Sequence, residues 1–220
     1  MNILAIDTTT NKMLVAVKKG QEIFEGLPQK TSKHLEVLLP QIDYVLDKSG
    51  LTLEDIDVFA VCVGPGSFTG IRIGISTVKG FLPVCVNAKV VAVNSLDFLA
   101  YNIKHKTNED SSFRVVMPST MEKFYTKAFA DGKEIENRII SKTELQELLD
   151  KEKVYALADE KTNLQEFHLL EVDSGMFIEY VEHLIQIGEY GDGKVLKPVY
   201  MAVSQAEEEL ARKEGLKNGI

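Results

Sequence analysis

The chain has 220 residues, 45% of them hydrophobic and 26% charged, with a formal net charge of −8. This balance predicts an ordinary globular protein with a buried core, and no apolar run approaches the ~18 residues that span a bilayer. The acidic charge argues against a chain that wraps a nucleic acid by itself. The N-terminus lacks the basic and apolar regions of a signal peptide, so we expect a cytoplasmic protein without a membrane partner.

The first half of the chain alternates strands and helices. Residues 2–7 and 12–20 predict a hairpin across the turn "TTTN", because short apolar runs flank polar turn residues. Further strands are predicted at 21–27, 58–63 and 88–94, and further helices at 69–80 and from 95 onward.

The first helix is predicted from Ser32 to Ser49. Six apolar residues recur at helical spacing and form one stripe: Leu35, Leu38, Leu39, Ile42, Val45 and Leu46. Ser32 suits the N-cap and Gly50 suits the position after the last turn. We expect this stripe to pack on a sheet.

A polar stretch around residues 104–112 predicts a lobe boundary. Beyond it we predict strands at 113–117, 123–130, 133–140 and 154–158, and helices at 141–149, 175–188 and 204–216. The class is α/β, with one lobe at 1–104 and a smaller one at 105–220, and the 204–216 helix could return to the first lobe.

The stretch "VGPGSFTGIRIG", residues 63–74, joins a predicted buried strand to the second helix. Its spacing matches neither the Walker pattern nor the dinucleotide fingerprint. A glycine-rich turn at a helix start still exposes N–H groups that suit an anion, so an anion-binding loop stays open as a hypothesis. Its residues would be Gly64, Gly66, Ser67 and Thr69.

Nucleophilic and metal chemistry have little support. Ser67 lacks the G-x-S-x-G context, and no histidine can be paired with it from sequence. The four histidines show no metal-ligand spacing, and Cys62 and Cys85 lie in separate strands, where buried free thiols are expected. We predict no metal in this chain.

Asp7 ends the first strand and is followed by three threonines. Phosphate-binding turns at this point of a fold favour glycine where Thr9 stands, because a side chain hinders approach to the backbone. The alternative is structural, with Asp7 accepting from the N–H groups of its own turn.

The second helix contains Gly70 and Gly74 one turn apart, beside Ile71, Ile75 and Val78. Each glycine inside a helix costs ~1 kcal/mol relative to alanine, and close approach of another element can offset that cost. Packing within the chain and packing against a partner both stay open. Val37 and Tyr44 add apolar surface to the first helix, outside its main stripe.

Three segments together closely resemble the bacterial TsaB (YeaZ) family. They are "ILAIDTTT", "KHLEVLLPQID" and "GPGSFTGIRIGISTVKGF", and a weaker likeness reaches "KPVYMAVSQAEEE". The resemblance implies a two-lobed actin-like (ASKHA, ribonuclease H-like) fold and a non-catalytic subunit. That subunit would pair with a TsaD-type transferase and support threonylcarbamoyladenosine modification of tRNA beside the anticodon.

The resemblance also implies where and with what the chain pairs. The dimer contact would use the two first-lobe helices, and the interface residues would be Val37, Tyr44, Gly70, Ile71, Gly74, Ile75 and Val78. A bulky residue at Gly70 or Gly74 should then block pairing and leave the monomer folded. A TsaE-type ATPase would join, tRNA would bind only through the complex, and ATP or ADP and a metal belong to partner subunits, with none in this chain. The isolated chain is expected to be able to form a homodimer.

Two positions depart from the family pattern. Pro118-Ser119-Thr120 replaces an Asp-Ala-Arg segment, and Tyr200-Met201-Ala202 replaces a Y-x-R segment. Two rival functions stay open, an ATP-dependent small-molecule kinase of the actin-like fold and a peptidase, as the older family name suggests. Thr9 and the absence of a triad argue against them.

Overall fold

The computed structural model describes residues 1–27, 29–30, 33–107, 112–120, 122–157 and 167–201. The strands are β1 Asn2–Asp7, β2 Lys12–Lys19, β3 Glu22–Glu25, β4 Gln29–Lys30, β5 Val58–Gly64, β6 Lys89–Asn94, β7 Phe113–Thr120, β8 Lys123–Ala130, β9 Lys133–Ser141, β10 Lys153–Leu157 and β11 His168–Leu170. The α-helices are α1 His34–Ser49, α2 Phe68–Phe81, α3 Ser95–Thr107, α4 Lys142–Leu149 and α5 Ser174–Gln186. Short 3₁₀ turns lie at Leu53–Asp55 and Gly193–Val195.

The first sheet has the strand order β3-β2-β1-β5-β6, with β4 added to β2. β1, β2 and β3 pair antiparallel through tight turns, whereas β5 and β6 run parallel to β1 because helices connect them. Every residue of β5 is buried, as expected for a strand covered on both faces. This arrangement confirms the predicted α/β class and the predicted hairpin.

The helix ends follow the predicted capping chemistry in most places. Gly50 ends α1 in the left-handed region with φ 63°, and Ser141 and Glu144 form the reciprocal capping box of α4. α1 begins at His34 after Lys33, while the predicted cap Ser32 lies outside the described residues. The predicted 204–216 helix lies outside them too.

The predicted core stripe of α1 is too wide. Leu38, Ile42 and Val45 are at most 2% exposed and face the sheet, whereas Leu35 is 75% and Leu39 is 53% exposed. The six-residue stripe extends around more of the helix than one flat sheet covers, so its edge residues stay in solvent. These two leucines are therefore surface residues, which corrects the prediction.

The second sheet has the order β11-β10-β7-β8-β9. The β8–β9 hairpin turns at Asp131-Gly132, both with positive φ, as the sequence predicted. The short helix α4 covers part of its outer face. Elsewhere on this sheet the buried Arg114 guanidinium binds Glu152 at 3.0 Å and also pairs with Glu136. The ion pairs of Arg114 thus cover a part of the second sheet that α4, with only eight residues, does not cover.

One hydrophobic core lies between the two sheets, and each sheet has a further core cluster on its outer side. The shared core contains Ala5 and Ala60 from the first sheet, Val115 from the second, and Phe98 and Phe177 from α3 and α5. Because α5 packs against the first sheet, the residues before and after position 104 are in extensive contact, and their division into two lobes stays a prediction. The segment 191–200, which we call the strap, also returns to the first sheet.

The strap runs beside the first sheet and α2. Gly191 bridges to Val90, the Val199 N–H donates to the Val63 carbonyl over 2.8 Å, and Leu196 is fully buried. Part of the C-terminal region thus closes the β6 edge of the first sheet.

Among the described helices, none is both long and apolar enough to cross a bilayer.

The shared core predicts that both sheets unfold together. Phe177 is 1% exposed and meets Phe98 edge-on at 5.1 Å, so Phe177→Ala should lower the free energy of unfolding by about 3–5 kcal/mol. Urea denaturation followed by far-ultraviolet circular dichroism and by tyrosine fluorescence should give one coincident transition. Ile135→Ala, at a 64% exposed position, should change little. Two separate transitions would contradict a common core.

Candidate functional site

The glycine loop rests directly on the turn that follows β1. The Ser67 N–H donates to the Thr9 carbonyl over 2.7 Å, and the Thr8 hydroxyl donates to the Gly70 carbonyl over 2.7 Å. A Cβ at Gly66 would lie 2.6 Å from the Thr9 carbonyl oxygen. Two loops distant in sequence are thereby locked backbone to backbone, which needs residues without side chains at the contact.

The two helix glycines serve the same internal contact. A Cβ at Gly70 would overlap the Thr8 carbonyl oxygen, and one at Gly74 would lie 2.7 Å from the Thr8 hydroxyl oxygen and 3.1 Å from Val61. Close approach of α2 to the sheet therefore offsets the helix propensity lost at both glycines. Of the two interpretations of this pair, packing within the chain is the one that the geometry supports.

Most of the predicted partner-interface residues are wrong for the same reason. Ile71, Ile75 and Val78 are 1%, 4% and 0% exposed and belong to the core between α2 and the sheet. Gly70 and Gly74 are buried as well. Buried atoms cannot contact a partner, so a partner surface on these helices would use other residues. The clashes at Gly70 and Gly74 also argue against the expectation that bulky residues there leave the monomer folded.

The loop's N–H groups are largely committed within the chain. Besides the Ser67–Thr9 bond, the Gly70 N–H donates to the Ser67 hydroxyl over 3.2 Å, which caps α2. Gly64 is also covered, because a Cβ there would lie 2.8 Å from the Val199 carbonyl oxygen. Of the predicted anion-loop residues only Ser67 and Thr69 are exposed. The N–H groups of Ser67 and Gly70 are therefore already bonded within the chain and are not available to an anion.

Asp7 adopts the structural role. Its Oδ1 accepts from both the N–H and the hydroxyl of Thr9, each over 2.7 Å. The side chain is 6% exposed, and burial raises the pKa of the carboxyl despite these bonds. Cys62 and Ser95 approach within 3.2 Å nearby, and burial raises the pKa of that thiol well above its usual range. The cluster holds the turn and is unsuited to metal or nucleophilic chemistry.

The cleft between the sheets does not fit a nucleotide. A cavity of about 20 Å³ lies beside Asp7, enough for one water molecule. Its other lining residues include Phe98, Met117, Leu157 and Val172, which fill the cleft with apolar side chains from both halves of the molecule. Nucleotide and cofactor sites need several hundred Å³. The described residues of the cleft therefore do not fit ATP or its metal.

The histidines do not assemble a metal site. Within the described ranges there is no group of three or more His, Cys, Asp and Glu side chains able to hold an ion. His34 is only 6% exposed, and burial lowers the pKa of its imidazole. It packs as a neutral side chain at the start of α1, because burial disfavours the charged form.

The exposed apolar surface of α1 lies at two leucines. Leu35 and Leu39 are one turn apart, about 40° around the helix axis, and more than half exposed. Gln41 lies on the opposite side of α1 from the leucine pair, and its Oε1 accepts from the Leu27 N–H over 2.7 Å. Because Leu27 follows β3 closely, this side of α1 faces β3. Because β3 is the outer strand, the leucine edge faces the α2 side of the sheet.

Ile73 of α2 is half-buried, packs against the core below it and extends the apolar part of this surface. Val37 and Tyr44 of α1 are also half-buried, but they lie roughly 140–180° around the helix axis from the leucine pair, on the side of Gln41. Val37 and Tyr44 were predicted interface residues, and they remain so as a prediction. Ile73, Leu35 and Leu39 were missed, because sequence spacing alone assigned the leucines to the core. The sequence did contain one signal of their exposure, because Leu35 and Leu39 lie at the edge of an apolar stripe that is too wide for one sheet to cover.

The two departures from the family pattern lie apart in the structure. Pro118 and Ser119 are in β7, and the Ser119 hydroxyl is buried without a hydrogen-bond partner among the described atoms. Tyr200 stacks on Phe68 at 4.5 Å, and its hydroxyl accepts from Arg72 Nε over 3.0 Å. Tyr200 thus fastens the strap to α2, while Ala202 lies outside the described residues.

The Gly70 contact can be tested with a matched glycine in the same helix. Gly70→Ala should lower the free energy of unfolding by about 1–3 kcal/mol or more, because the methyl group collides with backbone. Gly80→Ala should be neutral or stabilising by up to about 1 kcal/mol, since no atom lies within 4 Å of its added Cβ. Urea denaturation measures both. Equal effects would contradict the packing role.

The structural role of Asp7 predicts how its variants respond to pH. Because burial raises the folded-state pKa, the carboxyl favours folding when protonated, and that contribution is lost as pH rises above 3.8 through the folded-state pKa. Asp7→Asn should thus be at least as stable as the wild type at pH 7, with a smaller advantage at pH 4.

Asp7→Leu is the matched disruption, because it leaves both Thr9 donors buried without an acceptor. It should lower the free energy of unfolding by about 1–3 kcal/mol for each donor. Melting temperatures with and without Mg²⁺ complete the test. A melting temperature that rises with Mg²⁺ in the wild type but not in Asp7→Asn would show that the carboxylate holds a metal and would overturn the structural role.

Comparison with known proteins places the chain in a family. The family model described as TsaD, tRNA N6-adenosine threonylcarbamoyltransferase, matches residues 18–157. The Escherichia coli tRNA threonylcarbamoyladenosine biosynthesis protein TsaB is 38% identical over 103 residues, which cover 46% of this chain and 43% of that protein. The tRNA N6-adenosine threonylcarbamoyltransferase of Kosmotoga olearia is 32% identical over 112 residues, covering 44% and 34%. The chain thus aligns with less than half the length of these curated relatives.

Solved structures resemble nearly the whole chain. YeaZ from Pseudomonas aeruginosa superposes with a TM-score of 0.69 at 20% identity, over 90% of this chain and 99% of the other. A second Pseudomonas aeruginosa structure, described as similar to peptidase YeaZ, gives 0.71 at 20% identity, covering 91% and 99%. At this identity the likeness concerns the fold alone, and it confirms that the chain has the two-sheet α/β fold of YeaZ. The chain therefore belongs to the family that the TsaD model describes, and it resembles the TsaB (YeaZ) proteins.

Proposed function

We propose that this chain is a non-catalytic, TsaB-type subunit of tRNA threonylcarbamoyladenosine synthesis. It pairs with a TsaD-type transferase and supports that enzyme's activity without contributing reacting groups. The proposal follows the names of the curated relatives, which match 44–46% of this chain. The observation that carries it is the exposed leucine pair on α1, above a glycine loop that is fully used for internal packing.

The proposed pairing surface comprises Leu35 and Leu39 of α1 with Ile73 of α2, while Val37 and Tyr44 lie on the other side of α1. Burying a leucine side chain from water stabilises a complex by about 1.5–3 kcal/mol, so leaving two of them mostly exposed on adjacent turns favours a partner. A TsaD-type partner suits this surface because residues 18–157, which include α1 and α2, match the family model described as TsaD. Two related helix pairs could then pack face to face.

Lack of catalysis is part of the proposal. Asp7 accepts from its own turn, the Cys62 thiol is buried, and the cleft beside them holds about 20 Å³. The first two observations argue against a peptidase and the last against a kinase, which were the rival functions. ATP or ADP and a metal would therefore belong to the partner subunits.

The remaining partners follow from the same assignment. A TsaE-type ATPase would join the pair, and the whole assembly would work in the cytoplasm. In the absence of the TsaD-type partner, the same apolar surface would allow a second copy of this chain to bind, giving a homodimer. That homodimer and the heterodimer would exclude each other because they use one surface.

The pairing surface can be tested by charge. Leu35→Glu combined with Leu39→Glu should leave the monomer folded, since both side chains are already in solvent, and should weaken pairing with the TsaD-type partner at least tenfold. Ile135→Glu is the matched control, because that residue is 64% exposed on β9, far along the chain. Isothermal titration calorimetry with the purified partner measures the dissociation constants.

The same variants connect pairing to function. In a reconstituted reaction with partner, ATPase, tRNA and threonylcarbamoyl-AMP, modified adenosine should fall with the double variant and stay at the wild-type level with Ile135→Glu. Tight pairing by the double variant would refute the surface. Full modification without this chain would refute the supporting role.

A further inference from the structure

The acidic residues of this chain are unevenly distributed. The sequence contains 33 Asp and Glu residues, yet none lies between Asp57 and Asp97, nor between Asp192 and the end of the described chain at Met201. Those two stretches supply α2, the start of β6 and most of the strap. Five cations lie within them: Arg72, Lys79, Lys89, Lys194 and Lys197.

The fold brings the two stretches together. Gly193 lies against Leu82 at the end of α2, and Tyr200 stacks on Phe68 at its start. The strap therefore runs antiparallel along one edge of α2. Arg72 and Lys79 share that edge with Phe68, since they lie within about 40° around the helix axis. The cations of the helix and of the strap form one continuous basic face.

The cations of this face are exposed and mostly unpaired. All five residues are exposed, and among the described residues only Lys194 lies near a carboxylate, that of Asp192 at 3.7 Å. By contrast, the buried cations Arg114 and Lys127 each pair with two carboxylates. The chain thus neutralises its inner cations with carboxylates, whereas Arg72 and Lys79 of α2 have no carboxylate among the described residues, and Arg72 Nε donates only to the Tyr200 hydroxyl.

Aromatic rings alternate with these cations. The Arg72 guanidinium lies 3.9 Å over the Phe68 ring, and Lys89 Nζ lies 4.1 Å from the Tyr190 ring centre. Tyr190 and Tyr200 are both 41% exposed. Exposed cations increase affinity for any polyanion. Exposed aromatic rings increase affinity further only where the polyanion has bases that can stack on them, which an acidic polypeptide lacks. The combination distinguishes nucleic acid from an acidic protein.

We propose that this basic face binds single-stranded segments of RNA, with the lysines and Arg72 on phosphates and the exposed tyrosines against bases. The inference goes beyond the proposed function, in which tRNA binds only through other subunits. It does not need the TsaD-type partner, because the face lies on the strap edge of α2 and the leucine pair lies on α1. The net charge of −8 limits affinity but does not exclude a local basic face.

The salt dependence of binding tests the proposal with the isolated full-length chain. Fluorescence anisotropy with a labelled single-stranded RNA and an unmodified tRNA transcript should give a log–log slope near −3.5, about 0.7 for each of five phosphate contacts. Lys79→Gln combined with Lys194→Gln should reduce the slope to about −2. The control pair Lys106→Gln and Lys133→Gln removes two exposed cations outside the face and should leave the slope unchanged.

Two further probes separate the polyanions. Tyr190→Leu should weaken binding to RNA several-fold and leave binding to heparin, which has no bases, unchanged. Absence of salt-dependent RNA binding, or equal losses from the face and control pairs, would overturn the proposal. Equal affinity for polyglutamate would assign the face to an acidic protein instead. Loss of RNA binding with intact pairing to the TsaD-type partner would leave the proposed function standing.

Discussion

The approach of α2 to the turn after β1 is the contact on which the first sheet depends. Gly70 lies so close to the Thr8 carbonyl that no side chain fits between them, and the Ser67 N–H completes the contact by binding Thr9. This contact sets the depth of α2 on the sheet. The inner edge of α2 is thereby fully used, and only its outer residues and those of α1 remain to meet other molecules.

The same contact uses N–H groups that a phosphate-binding loop would need. A loop that binds phosphate must keep its N–H groups free, whereas here the Ser67 N–H bonds to the Thr9 carbonyl and the Gly70 N–H bonds to the Ser67 hydroxyl. The carboxylate of Asp7 is likewise used by Thr9, and the shared core closes the cleft beside it. The contacts that hold the glycine loop and the Asp7 turn therefore support the proposed role without catalysis, in which the chain acts through its surface.

Local chemistry made most elements predictable from the sequence. The hairpin, the buried strand β5, the Asp131-Gly132 turn and the capping box at Ser141 depend on near neighbours, and all are confirmed. Contacts between distant segments were not predictable. The same glycine spacing fits a partner or the chain's own turn, and only the position of Thr8 decides between them. Likewise, helical spacing could not tell which leucines of α1 a sheet of limited width leaves exposed.

Amide hydrogen exchange tests the central claim most directly, that the glycine loop is internal structure and the outer helix surface is the binding site. In the isolated chain the amides of Ser67, Gly70 and Ile71 should already be protected by their bonds within the chain. Addition of the TsaD-type partner should slow exchange around Leu35–Tyr44 and leave those three amides unchanged. Rapid exchange at the loop that slows only when phosphate, nucleotide or partner is added would contradict the account.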